Sequence, residues 1–305
     1  MKLMCLNAIY VKGLQFRPDC GYCRACRLKK KTEWRIRMLH ESITYKQLRP
    51  NGQILFVLLT YNRSHIPKDY GLQMRDLQLF WKRLRKSLGK DGPKIRYFAA
   101  GEYGAKYGRP HYHLIIYGLN MSHRDLIYKA WSKCDDLDGC FGCEVVRSSK
   151  AMSYTAGYTA KKLRSGYNRW FKDHYNRRPE FCVCSQGIGK QYVLDNADEL
   201  KSSKFLRVKG REMSLPRYYR KILGLTADDM MDRSYKVKQD MYDYFVKRRM
   251  IPDTITFSHY LMTEQFYEHL KLPMRIATDI YLKSMEERYE TRHKGDIWIQ
   301  LSEQH

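Results

Sequence analysis

The stretch from Lys94 to Tyr117 constrains the fold more than any other part of the sequence. Lys94–Ala100 and His111–Tyr117 are short runs rich in apolar and aromatic residues, and each predicts a β-strand. The eight residues from Tyr103 to Pro110 connect the two runs, a length that suits a hairpin. The stretch therefore predicts two neighbouring antiparallel strands.

The predicted elements around this hairpin indicate the fold class. Ile54–Thr60 is a short apolar run after the Pro50-Asn51-Gly52 turn, and it predicts a buried strand. Helix, helix, strand and helix signals surround the hairpin at Leu77–Leu88, Ser122–Lys133, Glu144–Val146 and the segment that Ser149 would cap. Strand, helix, strand, strand, helix, strand is the split βαβ order of ferredoxin-like sandwiches, so we expect an α+β fold with a central antiparallel sheet.

The charge of the chain indicates a polyanionic partner. Its 305 residues include 57 Lys and Arg against 32 Asp and Glu, which gives a formal net charge of +25. An excess of this size favours nucleic acid. No apolar run approaches the roughly 20 residues that span a bilayer, and the N-terminus has no signal-peptide pattern. We therefore expect a soluble, cytoplasmic protein with no membrane partner.

Two histidines and a glutamate form a candidate metal site on the predicted hairpin. His111 and His113 lie two positions apart on a strand, so their side chains point to the same face. Glu102 lies at the end of the preceding strand, and a hairpin would bring it beside them. Two imidazoles and a carboxylate suit Mg²⁺ or Mn²⁺ better than a structural zinc. The alternative is incidental strand histidines and a solvated acid.

Tyr154 and Tyr158 are candidate nucleophiles. Residues four apart share one face of a helix, so both phenol oxygens would reach one site. A phenol has a pKa of about 10, and Lys161 would favour the phenolate, hold a phosphate or protonate a leaving oxygen. Two such nucleophiles near a metal indicate an enzyme that cuts and rejoins a phosphodiester. The alternative is an aromatic stripe packed on the sheet, with Lys161 as an ordinary helix C-terminal lysine.

Several segments together resemble a known family. Phe56–Tyr61, Arg109–Leu114 and Tyr154–Lys161 resemble the three motifs of HUH endonucleases that start rolling-circle replication. More narrowly, the chain resembles the replication initiators of microviruses, especially the gokushovirus branch of these single-stranded DNA phages. Cys20–Cys26, Ser185–Gly189 and Leu215–Arg220 are similar to further landmarks of that family. The resemblance covers most of residues 1–220.

The resemblance implies a metal-dependent, site-specific endonuclease and DNA strand transferase. His111 and His113 would bind the divalent ion, with Glu102 as the third ligand. One tyrosine would attack the origin and stay joined to the 5′-phosphate, and the second would cut the regenerated origin after one circuit. Some relatives carry a lysine where this chain has Gly157, which leaves Lys161 alone in that role. We therefore expect Tyr158 to be the stronger first nucleophile.

The implied partner is single-stranded or melted origin DNA, together with a host helicase and replication machinery in the bacterial cytoplasm. Two alternatives remain open at this point. One is a relaxase or transposase of the same tyrosine class. The other is a zinc-stabilised nucleic-acid-binding protein without catalysis.

The nine cysteines fall into clusters, and an odd count in a reducing compartment does not favour a disulfide framework. Cys20, Cys23 and Cys26 are spaced by three residues, and Cys5 would complete a Cys₄ zinc site. Free buried thiols are the equal alternative. For the other cysteines we expect ordinary loop and strand positions: Cys134, Cys140, Cys143, Cys182 and Cys184.

Three regions are predicted along the chain. Residues 1–50 form a Cys-rich segment and a helix with Thr32 as candidate N-cap, and residues 51–165 form the HUH endonuclease core. Residues 166–305 form an accessory region of loops and charged helices such as Asp228–Met250.

Overall fold

The computed structural model describes residues 5, 9–12, 18–104, 107–134, 140–158, 176–208, 211–226, 228–249, 251 and 254–262. Among these, residues 30–192 form one compact unit, and the residues before 30 form a second unit with those after 192. This division does not coincide with the boundaries predicted after residues 50 and 165. Those boundaries stay a prediction.

A five-stranded antiparallel sheet forms the centre of the first unit. Its strands are β1 (Ile54–Thr60), β2 (Arg96–Tyr103), β3 (Pro110–Tyr117), β4 (Phe141–Val145) and β5 (Phe181–Cys184). The spatial order is β4-β1-β3-β2-β5, with every neighbouring pair antiparallel. The first four strands have the order that the split βαβ pattern requires, so the predicted α+β class is confirmed. Strand β5, which the sequence did not predict, adds an edge beside β2.

Four helices cover the two faces of this sheet. They are α1 (Arg24–Leu48), α2 (Met74–Leu88), α3 (Arg124–Trp131) and α4 (Ser149–Gly157). Because side chains alternate along a strand, Tyr112 and Leu114 of β3 join the core that contains Phe80 of α2 and Trp131 of α3. Ile115 points to the opposite face, in the core that contains Met38 of α1 and Ala156 of α4. His111 and His113 share the parity of Ile115, so they face the side covered by α1 and α4.

Two predicted helix starts are wrong. Helix α1 begins at Arg24 rather than after Thr32, and the amide of Arg27 donates to the carbonyl of Cys23 over 3.0 Å. The Arg-Leu-Lys-Lys-Lys run before Thr32 consists of good helix formers, which explains the earlier start. Helix α4 is capped by Ser148 rather than Ser149, since the Ser148 hydroxyl accepts from the amide of Lys150 over 3.3 Å.

The second unit has a small core of its own. Ala25, Phe245, Ile251, Ile255 and Tyr260 are buried together. Its other elements are a hairpin of β6 (Phe205–Val208) and β7 (Arg211–Ser214) and the helices α6 (Ala197–Ser203), α7 (Arg217–Leu223), α8 (Met231–Lys247) and α9 (Phe257–Met262). Helix α5 (Lys190–Asp195) precedes α6 in the chain. Helix α8 lies within the predicted charged helix. Within the described ranges, no helix is both long and apolar enough to cross a membrane.

Candidate active site

Strand pairing brings the three predicted metal ligands together. Glu102 on β2 is directly opposite His111 on β3, and Ala100 is opposite His113. The three side chains therefore share one face of the sheet. One carboxylate oxygen of Glu102, Oε1, lies 2.7 Å from His111 Nε2 and 3.1 Å from His113 Nε2.

The three side chains are almost fully removed from solvent. Glu102, His111 and His113 are 4%, 5% and 1% exposed. Burial alone would raise the pKa of Glu102, but hydrogen bonds from both imidazoles outweigh it and hold this pKa below its usual range. The site therefore contains a buried carboxylate that is stabilised as an anion. A buried charge of this kind needs close partners, which the two imidazoles provide.

A backbone contact orients one imidazole for metal binding. His111 Nδ1 lies 3.1 Å from the carbonyl oxygen of Arg109, so Nδ1–H donates there and Nε2 points to Glu102. One ligand atom from each of Glu102, His111 and His113 lies within 4.8 Å of the others. Two imidazole nitrogens and a carboxylate oxygen suit a divalent cation such as Mg²⁺ or Mn²⁺. The donor set therefore fits the predicted ion.

Tyr158 is in direct contact with this cluster. It follows the last residue of α4 with helical dihedrals, φ −64° and ψ −25°. Its hydroxyl lies 3.1 Å from His113 Nε2, and its ring stacks on the His113 ring with centroids 4.7 Å apart. Burial, followed by the negative charge of Glu102, raises the pKa of Tyr158 well above that of an ordinary phenol. Without an added cation the phenol is therefore neutral.

Tyr154 lies beside Tyr158 and is half-buried. The ring centroid of Tyr154 is 5.1 Å from that of Tyr158 and 5.5 Å from that of His113. It also contacts Phe56 of β1 in an edge-on arrangement, at 6.4 Å. Both tyrosines thus face the Glu102, His111 and His113 cluster, and both also pack on the sheet. Packing and reactivity are compatible at these two positions.

Lys161, the third predicted catalytic residue, lies outside the described residues. A different lysine, which the sequence did not indicate, lies beside the tyrosine helix. A Cβ atom placed on Gly157 would be 3.7 Å from Cε and 3.8 Å from Nζ of Lys31, which belongs to α1. No local signal relates Lys31 to Gly157, because the contact forms only when α1 and α4 pack on the same face.

The cysteines divide into three situations. Cys5, Cys20, Cys23 and Cys26 come together, with one sulfur atom of each within 4.8 Å of the others. Cys134 and Cys140 form a disulfide across a sequence separation of six, unlike the ordinary loop positions expected for them. Their Cα atoms are 5.7 Å apart, which is within the range that a disulfide spans. Cys143, Cys182 and Cys184 are free thiols, as expected.

The fold and site define an α+β protein with an HUH-like core, in which a sheet presents two histidines and a glutamate to a pair of tyrosines. The family model for the ORF2 type of replication-associated protein matches residues 54–165, which contain all five of these residues. No solved structure matches the chain significantly.

Curated phage proteins extend this similarity beyond the core. The chain is 28% identical over 253 residues to replication-associated protein VP4 of Bdellovibrio phage phiMH2K, covering 76% of this chain and 73% of that protein. It is 25% identical over 311 residues to replication-associated protein ORF4 of Chlamydia phage 1, covering 94% and 73%. It is 26% identical over 268 residues to replication-associated protein ORF2 of Spiroplasma virus 4, covering 81% and 80%. The predicted resemblance to phage replication-associated proteins is confirmed.

Proposed function

We propose that the protein is a replication initiator that nicks and rejoins single-stranded or melted origin DNA through a 5′-phosphotyrosine intermediate. Its relatives are replication-associated proteins of phages. The observation that carries the proposed chemistry is the contact of Tyr158 with the metal-ligand cluster, a distance of 3.1 Å from its hydroxyl to His113. A nucleophile and a candidate metal site are thereby adjacent.

In this proposal Glu102, His111 and His113 hold Mg²⁺ or Mn²⁺. A divalent ion bound there supplies charge stabilisation for the oxygens of the scissile phosphate. The need for such a cation follows from Tyr158 itself, because burial and the Glu102 charge raise its pKa and disfavour the phenolate. A positive charge at the cluster offsets both effects.

The proposed cleavage is a phosphoryl transfer to tyrosine. The phenol oxygen of Tyr158 or Tyr154 forms a bond to phosphorus as the bond from phosphorus to the 3′ oxygen breaks. The phenol loses its proton, and the departing oxygen takes up a proton to become the 3′-OH that primes synthesis. Lys161 remains the proposed cation for the phosphate or for this proton transfer. Attack by the 3′-OH on the phosphotyrosine reverses the step and rejoins the strand.

Single-stranded DNA suits the charge of the chain as the substrate. The net charge is +25, and the described helix α2 exposes Lys82, Arg85 and Lys86 on the side opposite its buried residues. Phosphate neutralisation of this kind supplies affinity that falls steeply with salt. A host helicase and replication machinery are proposed as further partners, since synthesis from the 3′-OH requires strand separation.

The decisive experiment uses a labelled single-stranded oligonucleotide that contains the phage origin, with Mg²⁺ or Mn²⁺. We expect a covalent protein–DNA adduct that survives denaturation and disappears when Tyr154 and Tyr158 are both changed to Phe. Tyr235→Phe is the matched control, because Tyr235 is an exposed tyrosine of α8. An oligonucleotide that stays intact with every metal, yet is bound, would instead indicate the non-catalytic nucleic-acid-binding protein.

The single variants test the order of tyrosine use. Tyr158 makes the hydroxyl contact and the ring stack with His113, whereas the ring of Tyr154 meets that histidine edge-on. We therefore expect Tyr158→Phe to reduce the initial rate of nicking more than Tyr154→Phe does. Equal initial rates in the two variants would defeat this asymmetry without affecting the double-variant test.

A further inference from the structure

We propose that Cys5, Cys20, Cys23 and Cys26 bind one zinc ion in a tetrahedral site that is separate from the proposed catalytic metal site. Four thiolates are a soft ligand set, which selects zinc over Mg²⁺ or Mn²⁺. All four cysteines lie in the second unit, and Cys5 and Cys26 are buried. The site goes beyond the nicking reaction, which needs none of these sulfur atoms.

The distances between sulfur atoms match a zinc tetrahedron. With a Zn–S bond of about 2.3 Å, tetrahedral geometry places the sulfur atoms about 3.8 Å apart. The observed separations are 3.5 Å for Cys23–Cys26, 3.7 Å for Cys5–Cys23 and 3.9 Å for Cys20–Cys26. A disulfide would require about 2.05 Å, so the sulfur atoms are spaced as ligands rather than as bonded pairs.

The backbone between Cys20 and Cys23 is shaped as a ligand turn. Gly21 has φ +79°, a left-handed conformation that L side chains rarely adopt, and nothing lies within 4 Å of its missing Cβ. Glycine is therefore required here by conformation rather than by lack of space. The turn lets the Cys23 amide donate to the Cys20 sulfur over 3.3 Å, and the Cys20 amide donates to the Cys5 sulfur over 3.3 Å. Such N–H donors stabilise the charge of metal-bound thiolates.

The charges around the cluster also favour a metal–thiolate centre. Zinc with four thiolates carries a net charge of −2. The cluster lies where α1 begins, and the first turn of that helix contains no acidic residue. The positive end of the helix dipole and the basic residues that follow Cys26 complement this charge. Lys29 is held nearby through an ion pair with Asp19, at 2.7 Å.

The proposed zinc ion would join distant parts of the second unit. Cys5 and Cys20 are 15 positions apart in the sequence, and both would be tied to the start of α1. That start packs in the core of the unit, where Ala25 is buried and Cys23 and Leu28 lie against Phe245 or its neighbours. Loss of the ion would release the segment around Cys5 and expose this core. The site is therefore structural, and its removal should lower thermal stability.

The first test is the metal content of the full-length protein purified without chelator. We expect about one zinc per chain in the wild type and in Cys184→Ser, and a loss of most zinc in Cys20→Ser. Cys184 is the matched control because it is a free, half-buried thiol outside the cluster. Absence of zinc from the wild type, iron in its place, or equal zinc in both variants would overturn the proposal.

A second measurement does not depend on the variants folding. A thiol-specific mercurial added to the intact wild type should release the zinc to a colorimetric indicator, because the mercurial competes for the sulfur ligands. Co²⁺ substituted for zinc should give thiolate-to-cobalt charge transfer and the intense visible bands of a tetrahedral centre. Zinc that the mercurial does not release, or cobalt with only weak octahedral bands, would place the ion elsewhere. Neither readout involves nicking, so the outcome is separable from that of the proposed function.

Discussion

The Glu102, His111 and His113 cluster and the four-cysteine cluster are assembled in opposite ways. Pairing of β2 with β3 positions the first, and all three of its members are buried in the sheet-bearing unit. The second depends on a short turn at Gly21 and on one distant residue, Cys5, and Cys20 and Cys23 are only half-buried. A packed sheet can hold ligands in place without an ion. A turn beside a helix start has much less packing to do so, and a bound ion would supply what it lacks.

The ligand chemistry differs in the same direction. Nitrogen and oxygen ligands on a sheet suit a cation that acts on a phosphate, whereas four sulfur ligands leave a zinc ion no open position for a substrate. The comparison therefore assigns reactivity to the first cluster and stability to the second. Substitutions in each should affect different measurements.

The largest expected effect is that of His113→Ala on nicking. It removes a proposed ligand together with the contact of Tyr158, so we expect nicking to fall on the order of 10²-fold or more, since a bound cation contributes several kcal/mol to the transition state. Zinc content should stay at the wild-type value. His65→Ala is the control, because His65 is exposed. Full nicking activity in His113→Ala would show that the metal assignment is wrong.

The parts of this site that the sequence predicted depend on short-range rules. The eight-residue connection between Tyr103 and Pro110 predicts the hairpin, and the two-residue period of a strand places His111 and His113 on one face. Glu102 then follows from antiparallel pairing. The four-residue spacing of Tyr154 and Tyr158 predicts their shared helix face, and their ring centroids are 5.1 Å apart.

The parts that the sequence did not predict depend on contacts between distant segments. Strand β5 has only four residues and exists as an edge of the sheet because it pairs with β2. The position of Lys31 beside Gly157 requires α1 and α4 to pack on the same face. The start of α1 was misplaced for another reason: Thr32 is a typical N-cap residue, but the basic run before it has strong helix propensity.

Acid should affect the two regions through different groups, and His40 offers the second-largest effect. Thiolate ligands take up protons when they release a metal. In the sheet-bearing unit, burial lowers the pKa of His40 to about 4, and its ring stacks on Tyr192 at 3.7 Å. The unfolded chain, with a histidine pKa of about 6.5, binds the proton first as pH falls. Stability from this residue is thus complete above about pH 6.5 and is lost towards pH 4, by on the order of 3 kcal/mol.

Urea unfolding at several pH values measures this loss. His40→Phe keeps a ring against Tyr192 and removes the titration, so its free energy of unfolding should vary less between neutral and acidic pH than that of the wild type. The zinc content at neutral pH should be the same in both proteins. An unchanged pH dependence in His40→Phe would assign the acid sensitivity to other groups.

A smaller effect is expected from Gly21→Ala in the cysteine cluster. Alanine in the left-handed conformation costs roughly 1–2 kcal/mol, and this cost should appear as weaker zinc binding or a lower free energy of unfolding. Competition with a chelator of known zinc affinity measures the first, and thermal unfolding the second. Nicking by the zinc-loaded protein should be retained. A variant that binds zinc as tightly as the wild type and is equally stable would show that the turn at Gly21 does not hold the cluster.

The smallest expected effect is that of Gly157→Ala, the corresponding change beside the tyrosine pair. Gly157 closes α4, and a Cβ there would make ordinary van der Waals contact with Lys31, at 3.7 and 3.8 Å. Alanine should therefore stabilise the protein by up to about 1 kcal/mol, since glycine is the poorer helix residue. If stability rises while nicking falls, the glycine serves the approach of DNA, as its place between the two tyrosines suggested. If both stability and nicking are preserved or increased, no such approach exists, and Gly21 alone is a glycine that the proposed sites require.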